Sequence, residues 1–437
     1  MRIAAALTLF LATSLGLADA KAVDLKEALR LAGLSPTMQL SRSIHEEADW
    51  KKAEVYQAFM PTVSAFGTRY FSAKYVYTDI NFGGNPTSVP GIIPTTAYGF
   101  NAQWALFDGF SGVQRYFAAK NFERASRHEM NWSEFRLKRE VTVAFYRAIA
   151  AKQLRATAEQ NFKTLKDHLD EVKQFKRSGV ATEFDVLRVE VQFSEAESET
   201  ISAEDNLKIA EQKLAELLGA DAPIESIVGE LPILDEAEMA KVQTYKKNRE
   251  DLAALTEKTE GARQIAGATN KHWVPKISLF GNYQWYNNID ESWSQNFREA
   301  YGVGIQAQWN IFDGLSSYAK NREAVEQAYQ AERLEKIQNL KGKTDYENFR
   351  RKFIYYCSVY RSRARDVVKA TEAVRLAKAG RRAGTRTNTE LLDAELDLFR
   401  AMAGKVNSQL GAVEALSNLE MATGENLFPY TRVGAVE

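Results

Sequence analysis

The segment Tyr98-Gly-Phe-Asn-Ala-Gln-Trp-Ala-Leu-Phe-Asp-Gly109 recurs as Val303-Gly-Ile-Gln-Ala-Gln-Trp-Asn-Ile-Phe-Asp-Gly314, an offset of 303 − 98 = 205 residues. In both copies, apolar side chains occupy every second position until Phe-Asp-Gly ends the segment. This period of two predicts a β-strand with one face in an apolar medium and the other in water. A sheet that covers a soluble core is the commoner cause of the pattern. Strands of about ten residues that are rich in aromatic side chains favour an outer-membrane barrel instead.

Two further landmarks repeat in the same order, so the chain is a tandem repeat. Pro61–Gly67 recurs as Pro275–Gly281, an offset of 275 − 61 = 214, and Gly179–Thr182 recurs as Gly384–Thr387, again at 205. The nine extra residues of the first copy lie between its two strands, where Asn81–Pro94 is rich in glycine and proline. We expect a loop there.

A long helix is predicted to follow each strand pair, because no proline interrupts residues 109–179. Apolar residues recur at spacings of three and four, which predicts a coiled-coil-like seam; they are Phe162, Leu165, Leu169 and Val172, and in the second copy Phe349, Phe353, Tyr356 and Tyr360. Asp108 and Asp313 are expected to be the N-caps of these helices. The alternative, an Asp-Gly hairpin turn, is disfavoured because no alternating strand follows.

Shorter helices complete each copy. We expect a return helix from Thr182 to Leu218, and helices over Gln39–Phe59 and Val242–Lys271 that lead into the strand pairs. The predicted organisation is a signal peptide at 1–20, a first repeat at 21–218, a linker or equatorial region at 219–238, and a second repeat at 239–437.

The N-terminus predicts export. Arg2 precedes an almost entirely apolar run from Ile3 to Leu17, and Ala18-Asp-Ala20 is a small-residue cleavage site. This is typical of a secretory signal peptide with a mature chain that starts near Lys21. An uncleaved anchor is the alternative, and its apolar core would be short. No cysteine follows the apolar run, so we expect no lipid anchor.

Composition argues against several classes of protein. Lys+Arg and Asp+Glu both number 57, so the zero net charge gives no electrostatic footprint for nucleic acid. The single cysteine, Cys357, lies among aromatic residues and is expected to be a buried structural thiol. The four histidines are scattered without a second ligand at i+3 or i+4, and each is expected to be structural; they are His45, His128, His168 and His272. The sequence therefore predicts no enzyme, no cofactor and no resident metal.

Four strands cannot close a barrel, since even small barrels need about eight. The chain is therefore expected to form an oligomer in which neighbouring copies pair their strand edges. On strand number alone, a dimer with eight strands and a trimer with twelve are both possible.

The signal peptide, the duplicated unit and the two tip motifs resemble the TolC-like outer-membrane efflux proteins, the outer membrane factors of tripartite efflux and type I secretion systems. The most specific motif is Gly384-Thr-Arg-Thr-Asn-Thr-Glu-Leu-Leu-Asp393, and Ser178-Gly-Val-Ala-Thr-Glu-Phe-Asp185 is similar to the other tip. The resemblance implies an α+β membrane protein in the cell outer membrane. It implies a homotrimer with a 12-stranded β-barrel, four strands per chain, that continues into a 12-helix periplasmic α-barrel.

The resemblance also implies partners and site residues. The partners are a periplasmic adaptor (membrane fusion) protein, an inner-membrane pump or ABC transporter, and outer-membrane lipid. The implied site residues are Glu390 and Asp393 at a pore constriction, Asp185 and Arg386 as a link that closes the tips, Gly179, Val180, Gly384 and Thr385 at adaptor-contact tips, and Trp104 and Trp309 at the membrane interface.

Several of these assignments have alternatives. Trp104 and Trp309 could pack between the barrel and the helices, and the tip glycines could serve only the turn. Arg386 and Glu390 could form an ordinary i, i+4 ion pair. If the constriction exists, threefold symmetry would gather six carboxylates that favour cations and bind divalent or trivalent metal ions.

The implied function is export of small molecules or proteins through the outer membrane. The alternative from another class is an exported coiled-coil stalk or adhesin without channel activity. The sequence does not indicate the cargo, because a pump in the inner membrane would select it.

Overall fold

The structure, a computed structural model, describes residues 23–71, 76–91, 96–221, 224, 226–235, 249–287 and 297–427. The predicted signal peptide, part of the predicted linker and the final ten residues lie outside this range. The chain divides into two compact units. The first unit consists of the described residues within 1–40, 133–249 and 341–437, and the second of those within 41–132 and 250–340.

The second unit contains a four-stranded antiparallel sheet. The described strands of this unit are β1 (Thr62–Arg69), β2 (Val76–Phe82), β3 (Asn85–Gly91), β4 (Thr96–Phe107), β5 (Lys276–Asn287) and β6 (Arg298–Gln308). The sheet order is β1-β4-β5-β6, so each repeat contributes one neighbouring pair. Thr62 faces Gln103 in the first pair, and the equivalent residues Lys276 and Gln308 face each other in the second. The repeat in the sequence is therefore a repeat in strand register.

The stretch between β1 and β4 differs from its prediction. The sequence predicts a loop over Asn81–Pro94, of which residues 92–94 lie outside the described part of the chain. Residues 81–91 belong instead to a separate two-stranded hairpin of β2 and β3. Gly83 and Gly84 make its turn with φ of 61° and 97°, and two consecutive left-handed residues are what a tight hairpin turn requires. Pro86 and Pro90 lie within β3. The longer stretch between the two strands of the first repeat therefore contains a hairpin of its own.

The strand predicted over Val303–Ile311 in the second repeat ends earlier than its alternating pattern. β6 ends at Gln308, so Trp309 and Ile311 follow the strand, whereas the equivalent Trp104 lies within β4. The alternating pattern thus continues past the last ladder hydrogen bonds in the second repeat.

The long helices and the return helices of the two repeats have equal lengths. The described helices are α1 (Leu25–Ala32), α2 (Pro36–Glu54), α3 (Ser111–Arg177), α4 (Glu183–Leu218), α5 (Glu250–Thr269), α6 (Ser316–Arg382) and α7 (Asn388–Thr423), with a 3₁₀ turn at Val55–Phe59. α3 and α6 each have 67 residues, and α4 and α7 each have 36. The constant offset of 205 residues predicts this equality. None of the described helices is both long enough and apolar enough to cross a bilayer.

The starts of the long helices correct the predicted N-caps. α3 begins at Ser111 and α6 at Ser316, three residues after Asp108 and Asp313. The carboxylates still accept hydrogen bonds from backbone N–H groups of the first turn, Asp108 from Gly112 at 2.6 Å and Asp313 from Ser317 at 3.0 Å. Each aspartate therefore satisfies one free N–H group of the first helical turn. Each does so from a position two residues before the N-cap residue.

In the first unit, the predicted seam packs as expected. Leu165, Leu169 and Val172 are buried against Val186 and Val189 of α4. In the second repeat, Phe353 and Cys357 are buried in one cluster with α7. The prediction that Cys357 is a buried thiol is thus confirmed.

A buried ion pair fixes the end of α7. Arg139 Nε lies 2.9 Å from Glu420 Oε2, and both side chains are almost fully buried. Glu420 Oε1 also accepts a hydrogen bond from the Leu427 backbone N–H at 2.8 Å. Because removal of one partner would leave a buried charge, this pair holds the chain beyond α7 in place.

Candidate functional site

The sheet of the second unit has one apolar face. Tyr98, Phe100 and Trp104 of β4 lie on this face, and the register pairs them with Trp285, Tyr283 and Leu279 of β5. The face continues onto β6 with Tyr301, Val303 and Ile305, which are 69–80% exposed. A band of exposed aromatic and aliphatic side chains is the composition of a surface that faces an apolar medium.

The two tryptophans predicted for the membrane interface have equivalent surroundings. The Trp104 indole N–H donates to the carbonyl of Phe59 at 3.0 Å, and that of Trp309 donates to the carbonyl of Trp273, also at 3.0 Å. Trp104 is 40% and Trp309 60% exposed. In each repeat, the indole N–H therefore links the end of the second strand to the residue that lies two positions before Pro61 or Pro275. The indole ring itself remains exposed to the surrounding medium.

The opposite face of the sheet is mainly polar. It carries Ser64, Thr68, Asn101, Gln103, Asn282 and Gln306, which alternate with the residues of the apolar face. The two faces thus have the chemistry of a wall between lipid and water.

The first tip lies between α3 and α4 in the first unit. Gly179 has φ of 74°, and no atom lies within 4 Å of a Cβ built on it. The adjacent Val180 is 76% exposed. Thr182 and Asp185 then form a capping box, in which Asp185 Oδ2 accepts the Thr182 N–H at 2.9 Å. These hydrogen bonds from the side chain and backbone of Thr182 lower the pKa of the Asp185 carboxyl.

The second tip repeats this arrangement between α6 and α7. Gly384 has φ of 72° and is followed by the exposed Thr385. Thr387 and Glu390 form the capping box. The carboxyl of Glu390 accepts the Thr387 N–H at 2.7 Å, and the backbone and side chain of Thr387 lower its pKa.

Arg386 pairs with Glu390 within the protomer, at 3.2 Å between Nη1 and Oε1. This is the i, i+4 ion pair that the sequence allows. Arg386 and Asp185, the predicted tip link, line a common cavity of about 780 Å³ between the two tips. Asp185 meanwhile bonds to Thr182.

Asp393 has different surroundings from Glu390. Its side chain is 60% exposed and lies 4.0 Å from Arg188 Nη2. Both carboxylates line one surface groove, but the two oxygens of Glu390 already accept hydrogen bonds from Thr387 and Arg386. Asp393 is therefore the less neutralised of the two.

A buried polar network near the tips was not predicted. His168 is only 4% exposed, and its Nδ1 lies 3.2 Å from Oε2 of the buried Glu395. Lys378 Nζ lies 3.2 Å from the other oxygen of Glu395. Nε2 of His168 faces Asn388 Oδ1 at 2.5 Å and Arg381 Nη1 at 3.0 Å. The network connects α3, α6 and α7. The burial of His168 could have been predicted from the sequence, because it lies three residues after Leu165 and so on the apolar seam of α3.

The prediction that no histidine has a second ligand at i+3 or i+4 is wrong for His168, which has Glu171 at i+3, and for His45. Asp49 lies one turn further along α2, and the structure brings both side chains near the buried Glu123. The Lys52 ammonium lies 2.8 Å from Asp49 and 3.4 Å from Glu123, and Arg127 contacts Glu123 at 2.6 Å. Because two cations already balance two carboxylates, we interpret the cluster as a structural ion-pair network.

Comparison with known proteins gives one family. The family model "Outer membrane efflux protein" matches residues 47–220 and 242–425. The chain is 24% identical over 272 residues to the outer membrane protein TolC of Vibrio cholerae, covering 59% of this chain. It is 26% identical over 264 residues to the alkaline protease secretion protein AprF of Pseudomonas aeruginosa, covering 58% of this chain.

The matched regions span 60% and 53% of the length of these two curated relatives. Among solved structures, the outer membrane protein VceC of Vibrio cholerae superposes with a TM-score of 0.75 at 15% identity, covering 92% of this chain and 97% of that one. At this identity the likeness shows the fold alone, a chain of mixed strands and long helices.

Proposed function

The chain belongs to the outer membrane efflux protein family, and we propose that it is the outer-membrane channel subunit of a tripartite exporter. In this proposal it is located in the cell outer membrane and extends into the periplasm through its helices. It would carry cargo from an inner-membrane pump to the outside.

The observation that carries the proposal is the amphipathic sheet with β1 and β6 as its edges. Four strands are too few to close a barrel, and exposed edge strands pair with other chains. Three copies would supply twelve strands, with the apolar faces towards lipid and the polar faces towards a water-filled lumen.

The position of the aromatic residues supports this orientation. Along β4, Tyr98 and Trp104 are six residues apart, which is roughly 20 Å at about 3.4 Å per residue. Tyr98 stacks on Trp285, with 5.4 Å between the ring centroids. Aromatic residues at both ends of an apolar band of this height are typical of the two membrane interfaces. We therefore propose that Trp104 and Trp309 lie at the interface nearer the helices.

The tips provide the proposed contact with a periplasmic adaptor. Val180 and Thr385 are exposed beside glycines whose left-handed conformation reverses the chain. Pairing of Asp185 with Arg386 across their common cavity would hold the tips closed, and the carboxylates of Glu390 and Asp393 would form the constriction.

The names of the relatives support a proposal for the cargo class. AprF is named for secretion of alkaline protease, so proteins as well as small molecules are proposed cargo. A coiled-coil stalk is disfavoured, because such a protein would have no need of a sheet with one lipid-like and one polar face.

Two measurements on the purified protein test the proposal. In mild detergent, light scattering is expected to give three times the protomer mass, and planar lipid bilayers are expected to show stepwise ion conductance. A preparation unfolded by heat is the control and should not conduct. A monodisperse monomer that conducts, or a trimer without conductance, would contradict the proposal.

A further inference from the structure

The polar face of the sheet carries one phenylalanine in each repeat. Phe66 lies on β1 among Ser64 and Thr68, and Phe280 lies on β5 beside Asn282. Phe280 interrupts the alternating pattern of its strand, because a large apolar side chain stands where the neighbouring positions are polar. The interruption occurs twice, at equivalent positions (280 − 66 = 214).

The partners of these two residues are also equivalent. Phe66 directly faces Gly99 on β4, and Phe280 directly faces Gly304 on β6. The two glycines are 304 − 99 = 205 residues apart, which is the offset of the second strands. Each repeat therefore places a phenylalanine beside a glycine in the adjacent strand.

Gly304 provides the space that the Phe280 ring occupies. A Cβ built on Gly304 would lie 2.8 Å from Cζ and 3.0 Å from Cε1 of that ring. Any other residue at position 304 would displace the ring, and glycine within a strand often marks such a close approach. The ring consequently lies over the neighbouring strand, where it remains 40% exposed.

We propose that Phe66 and Phe280 form a ring of six phenylalanine side chains around the lumen, which binds apolar, cationic parts of passing cargo. The inference rests on the proposed trimeric channel. The two residues are equivalent by the repeat, so three protomers place six rings at one height of the barrel. On a face that is otherwise mainly polar, these six rings offer an apolar cargo surface a place to leave water.

The chemistry of the ring selects its ligand. An aromatic face attracts an organic cation through its quadrupole, and the same contact removes apolar surface from water. Small hydrated ions such as K⁺ gain little from it, because their hydration shell stays intact in a wide lumen. The ring is therefore expected to distinguish lipophilic cations from simple salts.

Bilayer recordings of the full-length trimer test this proposal with tetraphenylphosphonium as the probe. In the unsubstituted channel, tetraphenylphosphonium is expected to reduce the K⁺ current. In the double variant Phe66→Ser with Phe280→Ser, we expect about tenfold more probe for the same reduction, with K⁺ conductance largely unchanged. The variant Phe66→Tyr with Phe280→Tyr should retain the block, and Asn282→Ser is the matched control on the same face. An unchanged block in the double serine variant would overturn the ring, whereas absence of K⁺ conductance in the unsubstituted protein would contradict the channel itself.

A second measurement applies if the double variant does not assemble. The single variant Phe280→Cys, in a Cys357→Ala background, is treated with a membrane-impermeant cationic thiol reagent during recording. Modification is expected to lower the K⁺ current in steps, up to three per channel. A current that stays constant, with labelling verified by mass, would show that position 280 does not face the lumen.

Discussion

Glu390 and Asp393 lie three residues apart on α7, yet their carboxylates have different partners. Glu390 closes a capping box and accepts a hydrogen bond from Arg386. Asp393 is exposed and has Arg188 at 4.0 Å. The sequence places both on one helix face, because spacing fixes the face, but it does not show which carboxylate is neutralised locally.

This difference gives a prediction for ion selectivity. Asp393→Ala is expected to weaken the cation preference and the block by trivalent ions more than Glu390→Ala does, because the charge of Glu390 is already balanced by Arg386. Reversal potentials in a salt gradient measure the effect, and Asp397→Ala, further along the same groove, is the control. Equal losses in both variants would show that the local ion pair does not persist in the channel.

The capping boxes predict that the tips lose stability at acidic pH. Local hydrogen bonds lower the pKa of Asp185 and of Glu390. A carboxyl whose pKa is lower in the folded than in the unfolded state stabilises the fold above its ordinary pKa, and this contribution is lost as the pH falls through the folded-state value. Tip stability should therefore be constant above about pH 5 and fall below about pH 4.

Thr182→Ala with Thr387→Ala removes both caps and is expected to cost about 1 kcal/mol for each helix. Hydrogen exchange at the starts of α4 and α7 measures the loss. In the unsubstituted protein, hydrogen-exchange protection at these helix starts should be greater at pH 6 than at pH 3.5. The variant should lose most of this difference in protection. If the unsubstituted protein shows no such difference, the boxes do not stabilise the tips.

At the scale of elements, the sequence predicts most of the framework. Equal offsets predicted the equal lengths of the long helices. The alternating pattern located β4 and β6, and the repeated segments Pro61–Gly67 and Pro275–Gly281 indicated their partner strands β1 and β5. The hairpin of β2 and β3 was missed because Pro86 and Pro90 argue against a strand. Proline is tolerated here because β3 pairs with β2 on one side. The network around His168 was missed because its partners come from α6 and α7, more than 200 residues away.

The junction between strand and helix contains a strained residue in each repeat. Phe110 and Leu315 have φ of 64° and 67°, directly after the left-handed Gly109 and Gly314. A non-glycine residue in this conformation costs roughly 1–2 kcal/mol. The repetition of this geometry at equivalent positions identifies it as the means by which each strand turns into its helix.

Leu315→Gly is expected to raise the free energy of unfolding by roughly 0.5–1 kcal/mol, because strain relief exceeds the entropic cost of glycine. Leu315 is 64% exposed, so little packing is lost. Denaturant unfolding followed by circular dichroism measures the change. Leu315→Ala keeps the Cβ and should give no gain; a gain of the same size in that control would argue against backbone strain.

The tips give a prediction about assembly with the proposed adaptor. Val180→Glu with Thr385→Glu is expected to leave trimers in the membrane and to abolish export, because both positions are exposed at the proposed adaptor contact. Export of a reporter substrate and trimer abundance are measured together. Ser198→Glu, an exposed position elsewhere on α4, is the control. Continued export by the tip variant would mean that these side chains do not contact the adaptor.

At the scale of the whole molecule, the repeat predicts how protomers join. Within the chain, Asn101 of β4 directly faces Asn282 of β5. The equivalent residues are Gln306 (101 + 205) on β6 and Thr68 (282 − 214) on β1. If three chains close one barrel, Gln306 of one protomer must face Thr68 of the next. The sequence predicts an oligomer because four strands cannot close a barrel, but the register between protomers could be derived only from the observed pairing of β4 with β5.

The most direct test of the trimeric barrel is therefore a disulfide between protomers. Thr68→Cys with Gln306→Cys is expressed in a Cys357→Ala background, and outer membranes are oxidised and separated without reductant. Directly paired residues lie within disulfide reach, whereas the control pair Ser64→Cys with Gln306→Cys is shifted by four residues, roughly 13 Å. The account predicts covalent dimers and trimers for the first pair and monomers for the control. Monomers alone for the first pair, or equal cross-linking in both, would contradict a barrel closed by β1 and β6.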